Sequence, residues 1–537
     1  MDIRSQAHSE NRLADRDHLW LAIALGLVCL AGIGLWTAPQ RTSPECALAL
    51  QQADLFLNGA VPYCDFADTR QPLLTYLCII PVIIASQCGI STIAAFGIFM
   101  LAILLVSLVE ILFILRHPRM CIPAAGRGLV LLVWTALYFV VDWQGNVGQQ
   151  EYWFVLLYMP YLLLRVLRYQ GGNVPDGLAI LLGIQAGIGV EFKPLFLFAA
   201  VNVELVLLFT TRNRRTLHYP EIFAILGTAF VYWLHWFIMP GAMQDAFFDR
   251  WVPMANYGRS VYNSDISNVF VGIVGSPIVL IAVVSAVAAG MVGATQRAGL
   301  RFHFLAMAAF AGMAFAMVFL QQKDWSFHYI PLNAAGLLCL AFLIIDASRR
   351  WALNRHAISI NFLHAGAGVM VLCGLVAVWL GTRNAANADS PEAAALRKVV
   401  LASTESGDRV LVIAATPEAA YPMLVQTGRR PGSRYLYSFP IAFTYSRVIP
   451  KPNRPIYRKT EDAPLEERQF LRELGDDVAR RKPQLIAIES GPTNTALPKT
   501  FTVFDYLAYV GWTDQISQAY EGIPSPEGWR IYERRAE

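Results

Sequence analysis

Long apolar runs broken by short polar clusters set the pattern of this chain. A helix needs about 17–25 apolar residues to cross a bilayer. Such runs predict spans near 19–37, 91–115, 127–143, 152–167, 176–190, 194–210, 220–239, 269–293, 302–320, 329–346 and 360–381. The first run follows a polar start, exceeds a signal-peptide core and has no small-residue cleavage site, so it reads as a retained helix. The segment 72–88 is short and carries Pro81, so length alone leaves it spanning or interfacial.

After about residue 385 the pattern changes. Segment 392–403 reads as a helix and RVLVIAAT (409–416) as a strand. EERQFLRELGDDVARRK (466–482) reads as an amphipathic helix and PQLIAIE (483–489) as a second buried strand. Segment 429–456, rich in Pro, Arg and Tyr, reads as an ordered loop. The expected fold is a polytopic α-helical membrane protein of about 11 spans, with a membrane domain over 1–384 and an extracytoplasmic α/β domain over 385–537.

Composition agrees: 55% of the 537 residues are hydrophobic and 15% charged. The distribution of charge says more than its net value. If 72–88 does not cross, the loops 116–127, 165–176, 211–221, 294–301 and 346–356 share the N-terminal side. They hold 13 Arg, no Lys and three acids, Asp176, Glu221 and Asp346. The opposite loops (38–90, 142–151, 191–193, 240–268 and 321–328) hold six Arg/Lys against 11 Asp/Glu. The positive-inside rule then makes 72–88 a juxtamembrane or re-entrant helix, the N-terminus cytoplasmic and the C-terminal domain external. Five polar clusters fall on the outer side: PYCDFADTRQP (62–72), GQQEYW (148–153), VEFKP (190–194), the loop near 245–268 and QQKDWSFHYIP (321–331).

Each cluster has a plain reading and a chemical one. The first outer loop, 38–90, carries Glu45, Asp54, Asp65, Asp68 and Arg70. Acids usually just solvate a loop, but Pro62, Tyr63, Phe66 and Pro72 stiffen this one. A held carboxylate can serve as general base, or several can converge on a divalent metal; the spacing permits either. Gln149, Gln150 and Glu151 suit a helix first turn or contacts to sugar hydroxyls. Glu191 and Lys193 sit between two apolar runs, where ionisable groups are costly. Lys193 can bind a phosphate, or snorkel and pair with Glu191. Lys323, Asp324, Trp325, His328 and Tyr329 can form an interfacial belt, or a mouth for an anionic, partly apolar ligand. The eight Cys form no CxxC, so a structural zinc site is not expected. Cys46 and Cys64 share a loop; a disulfide and two free thiols are both open.

With these residues in view, the chain resembles the GT-C superfamily of integral membrane glycosyltransferases over roughly 40–345. It is most similar to the bacterial branch that includes the lipid A aminoarabinose transferase and protein O-mannosyltransferases. NGAVPYCDFADTRQPLLTYL resembles the family's first-loop pattern, and GQQEYWFVLLYMPYLLL a recurrent Gly-Gln-Arg-Glu/Asp segment. EFKPLF and QQKDWSFHYIP resemble its Leu-Lys-Pro and Gly-Lys-Gly-Trp-x-x-His motifs. Pro44-Glu45 stands where Asp-Glu is common, Gln150 where Arg is usual, and Ala67 and Gln71 replace commoner Phe and Pro. The first departure leaves the catalytic carboxylate open between Glu45 and Asp65.

The resemblance implies a polyprenyl-phosphate sugar donor in the bilayer and an acceptor on an envelope glycan, lipid or protein; no nucleic acid is implied. A first-loop carboxylate (Asp65, Glu45 or Asp68) deprotonates the acceptor hydroxyl. That oxygen attacks the anomeric carbon, the bond to the phosphate oxygen breaks, and the lipid phosphate leaves as an anion. Lys193, Lys323, Arg70 and His328 are its expected partners. Gln150, Glu151, Glu191, Trp325 and Tyr63 are expected to contact substrate. Some relatives use a divalent metal, and no dedicated ligand motif stands out in this chain. The main rival is a transporter or flippase, which predicts repeats and polar groups at mid-membrane rather than at one face; the chain shows no repeat.

Reporter fusions after residues 88 and 120 test the topology. The expected result is an external reporter at 88 and a cytoplasmic one at 120; an external reporter at 120 contradicts it.

Overall fold

A computed structural model describes residues 23–32, 42–143, 145–297, 299–354, 391–446, 456–491 and 497–535. The predicted span 360–381 and most of 19–37 lie outside the described residues. In chain order the main helices are α1 (Ile23–Gly32), α2 (Pro44–Leu57), α3 (Leu73–Cys88), α4 (Thr92–Leu115), α5 (Ala124–Trp143), α6 (Gln150–Tyr169), α7 (Asp176–Glu191), α8 (Pro194–Thr211), α9 (Pro220–Ile238), α10 (Ile266–Gly275), α11 (Pro277–Thr295), α12 (Arg301–Gln321), α13 (Ile330–Asn354), α14 (Pro391–Ser403) and α15 (Leu465–Arg481). Among the described residues, seven helical segments are long and apolar enough to cross a membrane: α4, α5, α8, α9, α11, α12 and Ser326–Arg350, which includes most of α13. This is a multi-pass membrane protein.

The chain divides into two compact units. One comprises 1–39, 97–238 and 264–383; the other comprises 40–96, 239–263 and 384–537.

In the first unit α6 is buried from Glu151 to Tyr169. The sequence reads it as a span, yet Glu151, Arg165 and Arg168 give it a charge load that only a helix enclosed by protein tolerates. Its Phe154 ring stacks on Phe196 of α8 at 4.2 Å and on Phe310 of α12 at 5.7 Å. Small residues let neighbours approach. A Cβ on Gly187 of α7 would come within 2.6 Å of Thr228 of α9. One on Gly336 of α13 would meet Ala282 of α11 at 2.4 Å. The outer faces stay apolar: Phe209, Phe223, Phe230 and Phe237 are largely exposed, as lipid-facing side chains should be.

The predicted span 269–293 is two helices rather than one. α10 ends at Gly275 and α11 begins at Pro277, with Ser276 at φ −102°, ψ 106° between them. The ring of Pro277 disfavours helical geometry at the preceding residue, so the break follows from the sequence.

The second unit is built on a five-stranded sheet in the order β2-β1-β3-β5-β4. The strands are β1 (Arg409–Ile413), β2 (Arg430–Pro431), β3 (Leu485–Glu489), β4 (Tyr520–Ile523) and β5 (Trp529–Arg534). β1 pairs in parallel with β2 and β3, and β5 runs antiparallel to β3 and β4. β1 and β3 match the two predicted strands. The continuous apolar runs RVLVI and LIAIE suit strands covered on both faces. The covering elements come from both ends of the sequence. Val410, Val412, Leu485 and Ala487 pack with Leu396 and Val400 of α14, and with Ala47, Leu48 and Phe66 of the first loop. That loop therefore folds as core of this unit, and α3 belongs to the same unit.

α15 is tied down by Asp477. Its carboxylate accepts from the Arg434 side chain at 3.0 Å, the Arg434 backbone N–H at 2.7 Å and the Ser433 hydroxyl at 3.0 Å. Burial alone would raise its pKa; the Arg434 hydrogen bonds, with the Arg481 and Arg434 charges, outweigh it and hold the carboxyl below the ordinary range. Glu473 is likewise held down, against its burial, by hydrogen bonds from Arg250 and Tyr435. A carboxyl depressed in the folded state contributes stability that is complete above its unfolded pKa of about 4 and is lost as pH falls through the folded value. The stability of this unit against unfolding, followed by Trp fluorescence, should therefore fall steeply below about pH 4. Asp477→Asn should flatten that acid limb; an unchanged limb refutes the assignment.

Candidate functional site

In the first unit, three chain segments converge on Glu151. α6 begins after the Gly148 turn (φ 89°), and Glu151 falls in its first turn. Lys193 precedes α8 in extended geometry (φ −147°, ψ 135°), fixed by Pro194 behind it. His328 lies in the 3₁₀ turn Ser326–Tyr329 that leads into α13. Glu151 is 1% exposed, and its Oε1 accepts from Lys193 Nζ at 2.5 Å and meets His328 Nδ1 at 2.8 Å. The sequence offered Glu191 as the alternative partner for Lys193. The structure instead gives Lys193 to Glu151, 42 residues away. The buried Glu151 Oε2 and His328 Nε2 have no hydrogen-bond partner among the described residues.

Aromatic rings shape this group. Trp325 stacks on His328 at 5.6 Å and 13°, and Lys323 Nζ lies 4.6 Å from the Trp325 ring. Lys193 Nζ lies 5.7 Å from the Phe327 ring. Lys193 and Lys323 both act electrostatically on the imidazole. Asp324 accepts from the Tyr329 hydroxyl at 2.7 Å, and Asn146 donates to Ser326 at 2.8 Å, bracing the turn. Gln150 is the first residue of α6, partly exposed beside Glu151. The group thus joins Glu151, Lys193, His328, Trp325 and Lys323. Neighbouring amide, ammonium and imidazole groups of this kind can receive an anionic oxygen.

In the second unit the first-loop residues form two separate groups. Glu45 sits in the first turn of α2 and acts on Arg70, whose main partner is Asp68. Asp68 Oδ1 accepts from the Arg70 backbone N–H at 2.9 Å, and its Oδ2 accepts from the Arg70 guanidinium at 3.1 Å and from Gln52 at 2.7 Å. Burial opposes the Arg70 charge, but the Asp68 and Glu45 carboxylates more than offset it and raise its pKa. Tyr63, at φ 67°, donates its hydroxyl to the Arg70 carbonyl at 2.9 Å, and its own carbonyl accepts from Trp251 at 2.9 Å. Asp65 faces different partners. Its Oδ2 caps the Val61 N–H at 2.9 Å, its carbonyl accepts from Arg481 at 2.8 Å, and it lines a cavity with Asp54, Arg409, Arg430, Arg480 and Arg481. Cys46 and Cys64 are free thiols. Among the described residues no three His, Cys, Asp or Glu side chains converge as metal ligands.

Glu204 lies within α8, where a lone acid is costly. It pairs with Arg165 at 2.6 Å, and Glu221 bridges Arg165 at 2.7 Å and Arg168 at 3.0 Å. The signal was present: two arginines three apart on an otherwise apolar helix must find acids on its neighbours. No comparable sign pointed to His328 and Lys193 sharing one carboxylate, because all three lie on different segments.

No family model matches the chain, and no curated protein does. Among solved structures it is similar to ArnT from Cupriavidus metallidurans bound to undecaprenyl phosphate, at 15% identity, over 96% of this chain and 98% of that one, with a TM-score of 0.47. The apo state of ArnT gives 15% identity over 96% and 97%, with a TM-score of 0.42. The arabinofuranosyltransferase AftD from Mycobacteria gives 15% identity over 96% of this chain and 42% of that one, with a TM-score of 0.45. At this degree of overlap, function has to be argued from the chain's own residues.

A double-mutant cycle tests the central contact. Glu151→Gln, Lys193→Met and the double variant should give a coupling of about 1–3 kcal/mol in unfolding from detergent micelles. Coupling near zero would refute a held Glu151–Lys193 pair.

Proposed function

We propose that this chain is a membrane glycosyltransferase of the GT-C type, moving a sugar from a polyprenyl-phosphate donor to an acceptor outside the cytoplasm. The observation that carries the reading is the pairing of Lys193 and His328 on the one buried carboxylate Glu151. Such an arrangement holds a cation and an imidazole in fixed positions at the end of an apolar bundle. A lipid-linked phosphate has the matching chemistry: an apolar tail and an anionic head.

In this reaction the anomeric C–O bond breaks and its electron pair goes to the phosphate. Lys193 and Lys323 stabilise the charge that develops there, and His328, whose Nδ1 is held by Glu151, donates to it from Nε2 as the imidazolium. Trp325 flanks the imidazole and keeps it oriented. Gln150 and Glu191 are the polar groups we assign to sugar hydroxyls. A first-loop carboxylate takes the acceptor proton, and we assign this to Glu45, in the first turn of α2 beside the Arg70–Asp68 pair. Both Asp68 oxygens are engaged by Arg70 or Gln52. Asp65 caps a backbone N–H. Arg70 and Tyr63 then position the loop that carries the base. The arginine-rich loops support an orientation with this chemistry on the external face of a bacterial inner membrane.

Transfer from a panel of radiolabelled undecaprenyl-phosphate sugars, in proteoliposomes with envelope extract as acceptor, tests the reading. Glu45→Gln should lower kcat by about 10²-fold or more, the usual scale for a lost general base. Asp65→Asn should cost less than about tenfold on that scale. The reverse order moves the base to Asp65, and no transfer from any donor in the panel contradicts the transferase reading.

A further inference from the structure

The cavity that takes up Asp65 carries more positive charge than the fold needs. It measures about 400 Å³ and lies within the second unit, walled by Asp54, Asn58, Asp65 and four arginines. Arg480 and Arg481 have ordinary reasons to be there: they end α15, where the helix dipole favours cations, and lie 4.0 and 3.8 Å from Asp477. Arg409 and Arg430 have no such reason. They are direct cross-strand partners in the parallel β1–β2 pair, which sets two guanidinium groups side by side. Like charges placed opposite one another in a sheet destabilise it. Among the described residues neither makes an ion pair with a carboxylate. Burial and the Arg430 and Arg480 charges push the Arg409 pKa down. Burial pushes the Asp54 carboxyl up, against the pull of Arg430.

A wall with four guanidinium groups against two carboxylates has the chemistry to bind an anion. The acceptors on the same wall narrow the chemistry further. Asp54 and Asp65 carboxylates and the Asn58 amide can take or give hydrogen bonds to hydroxyls, while planar guanidinium forks match phosphate oxygens. We propose that this cavity binds a phosphate ester of a polyol, a phosphorylated sugar or the headgroup of an anionic phospholipid, with Arg409 and Arg430 on the phosphate and Asp54 and Asn58 on the hydroxyls. This assignment does not rest on the transferase reading, and its test involves no turnover.

The full chain is placed in phosphatidylcholine nanodiscs, and its thermal unfolding and calorimetric binding are measured with glucose 1-phosphate and with glucose. In a second arm the discs contain phosphatidylglycerol and no soluble ligand is added. The expected result is at least tenfold tighter binding of glucose 1-phosphate than of glucose, or a raised Tm in phosphatidylglycerol discs. The first result identifies a soluble phosphosugar, the second a lipid headgroup. Arg430→Gln, at an exposed edge position, and the Arg409→Gln/Arg430→Gln pair should abolish the response. Without ligand, each variant should unfold at the same temperature as the parent or higher, because a repulsion has been removed. A structural role for these arginines predicts the opposite, a lower Tm. The proposal is overturned by a lower Tm in ligand-free Arg430→Gln, by a response that survives both substitutions, or by a parent that responds in neither arm.

Discussion

A single buried carboxylate organises the membrane unit. Glu151 sits at the start of a helix enclosed on all sides, where an unpaired charge would cost several kcal/mol. Its Oε1 meets both Lys193 and His328, which arrive from different parts of the chain. The start of α8 and the entry into α13 are thereby referred to the first turn of α6. The rings of Trp325 and Phe327 follow, since they pack on the imidazole and the ammonium that Glu151 holds. Far along α6, Glu221 and Glu204 do the same for Arg165 and Arg168. The helix is fixed near both ends by ionic contacts and in between by the Phe154, Phe196 and Phe310 stack.

Such an arrangement is costly to build and makes weak sense as a device for stability, because a well-packed apolar replacement often serves as well. It makes better sense as preorganisation. A lysine already oriented by one acceptor loses less freedom on meeting a second anion than a free one does. The buried His328 Nε2, which has no hydrogen-bond partner among the described residues, fits the same view.

Much of the helical part is legible in the sequence, because apolar run length reports directly on helices long enough to span. The break before Pro277 is legible too, since its ring disfavours helix at Ser276. β1 and β3 stood out as continuous apolar strands. β5, WRIYER, was hidden by its charges, although Trp529 and Ile531 alternate inward as a half-buried strand requires. Polar residues could be grouped by sequence neighbourhood only. That grouping kept Asp65 with Asp68 and Glu45, whereas folding hands Asp65 to the arginines of the sheet and leaves Glu45 and Asp68 with Arg70. It also offered Lys193 the adjacent Glu191, when the nearer acid in space is 42 residues away. Contacts between distant segments are where pattern reading stops.

The most direct test of the account is whether the fixed cation reads a phosphate. Affinity for undecaprenyl phosphate and for undecaprenol, which lacks only the phosphate, is measured by native mass spectrometry on the parent and on Lys193→Ala. The parent should prefer the phosphate form by about tenfold or more, about 1.4 kcal/mol. In Lys193→Ala that preference should collapse while binding of undecaprenol persists. Equal preference in the two proteins would contradict the role given to the Glu151, Lys193 and His328 group.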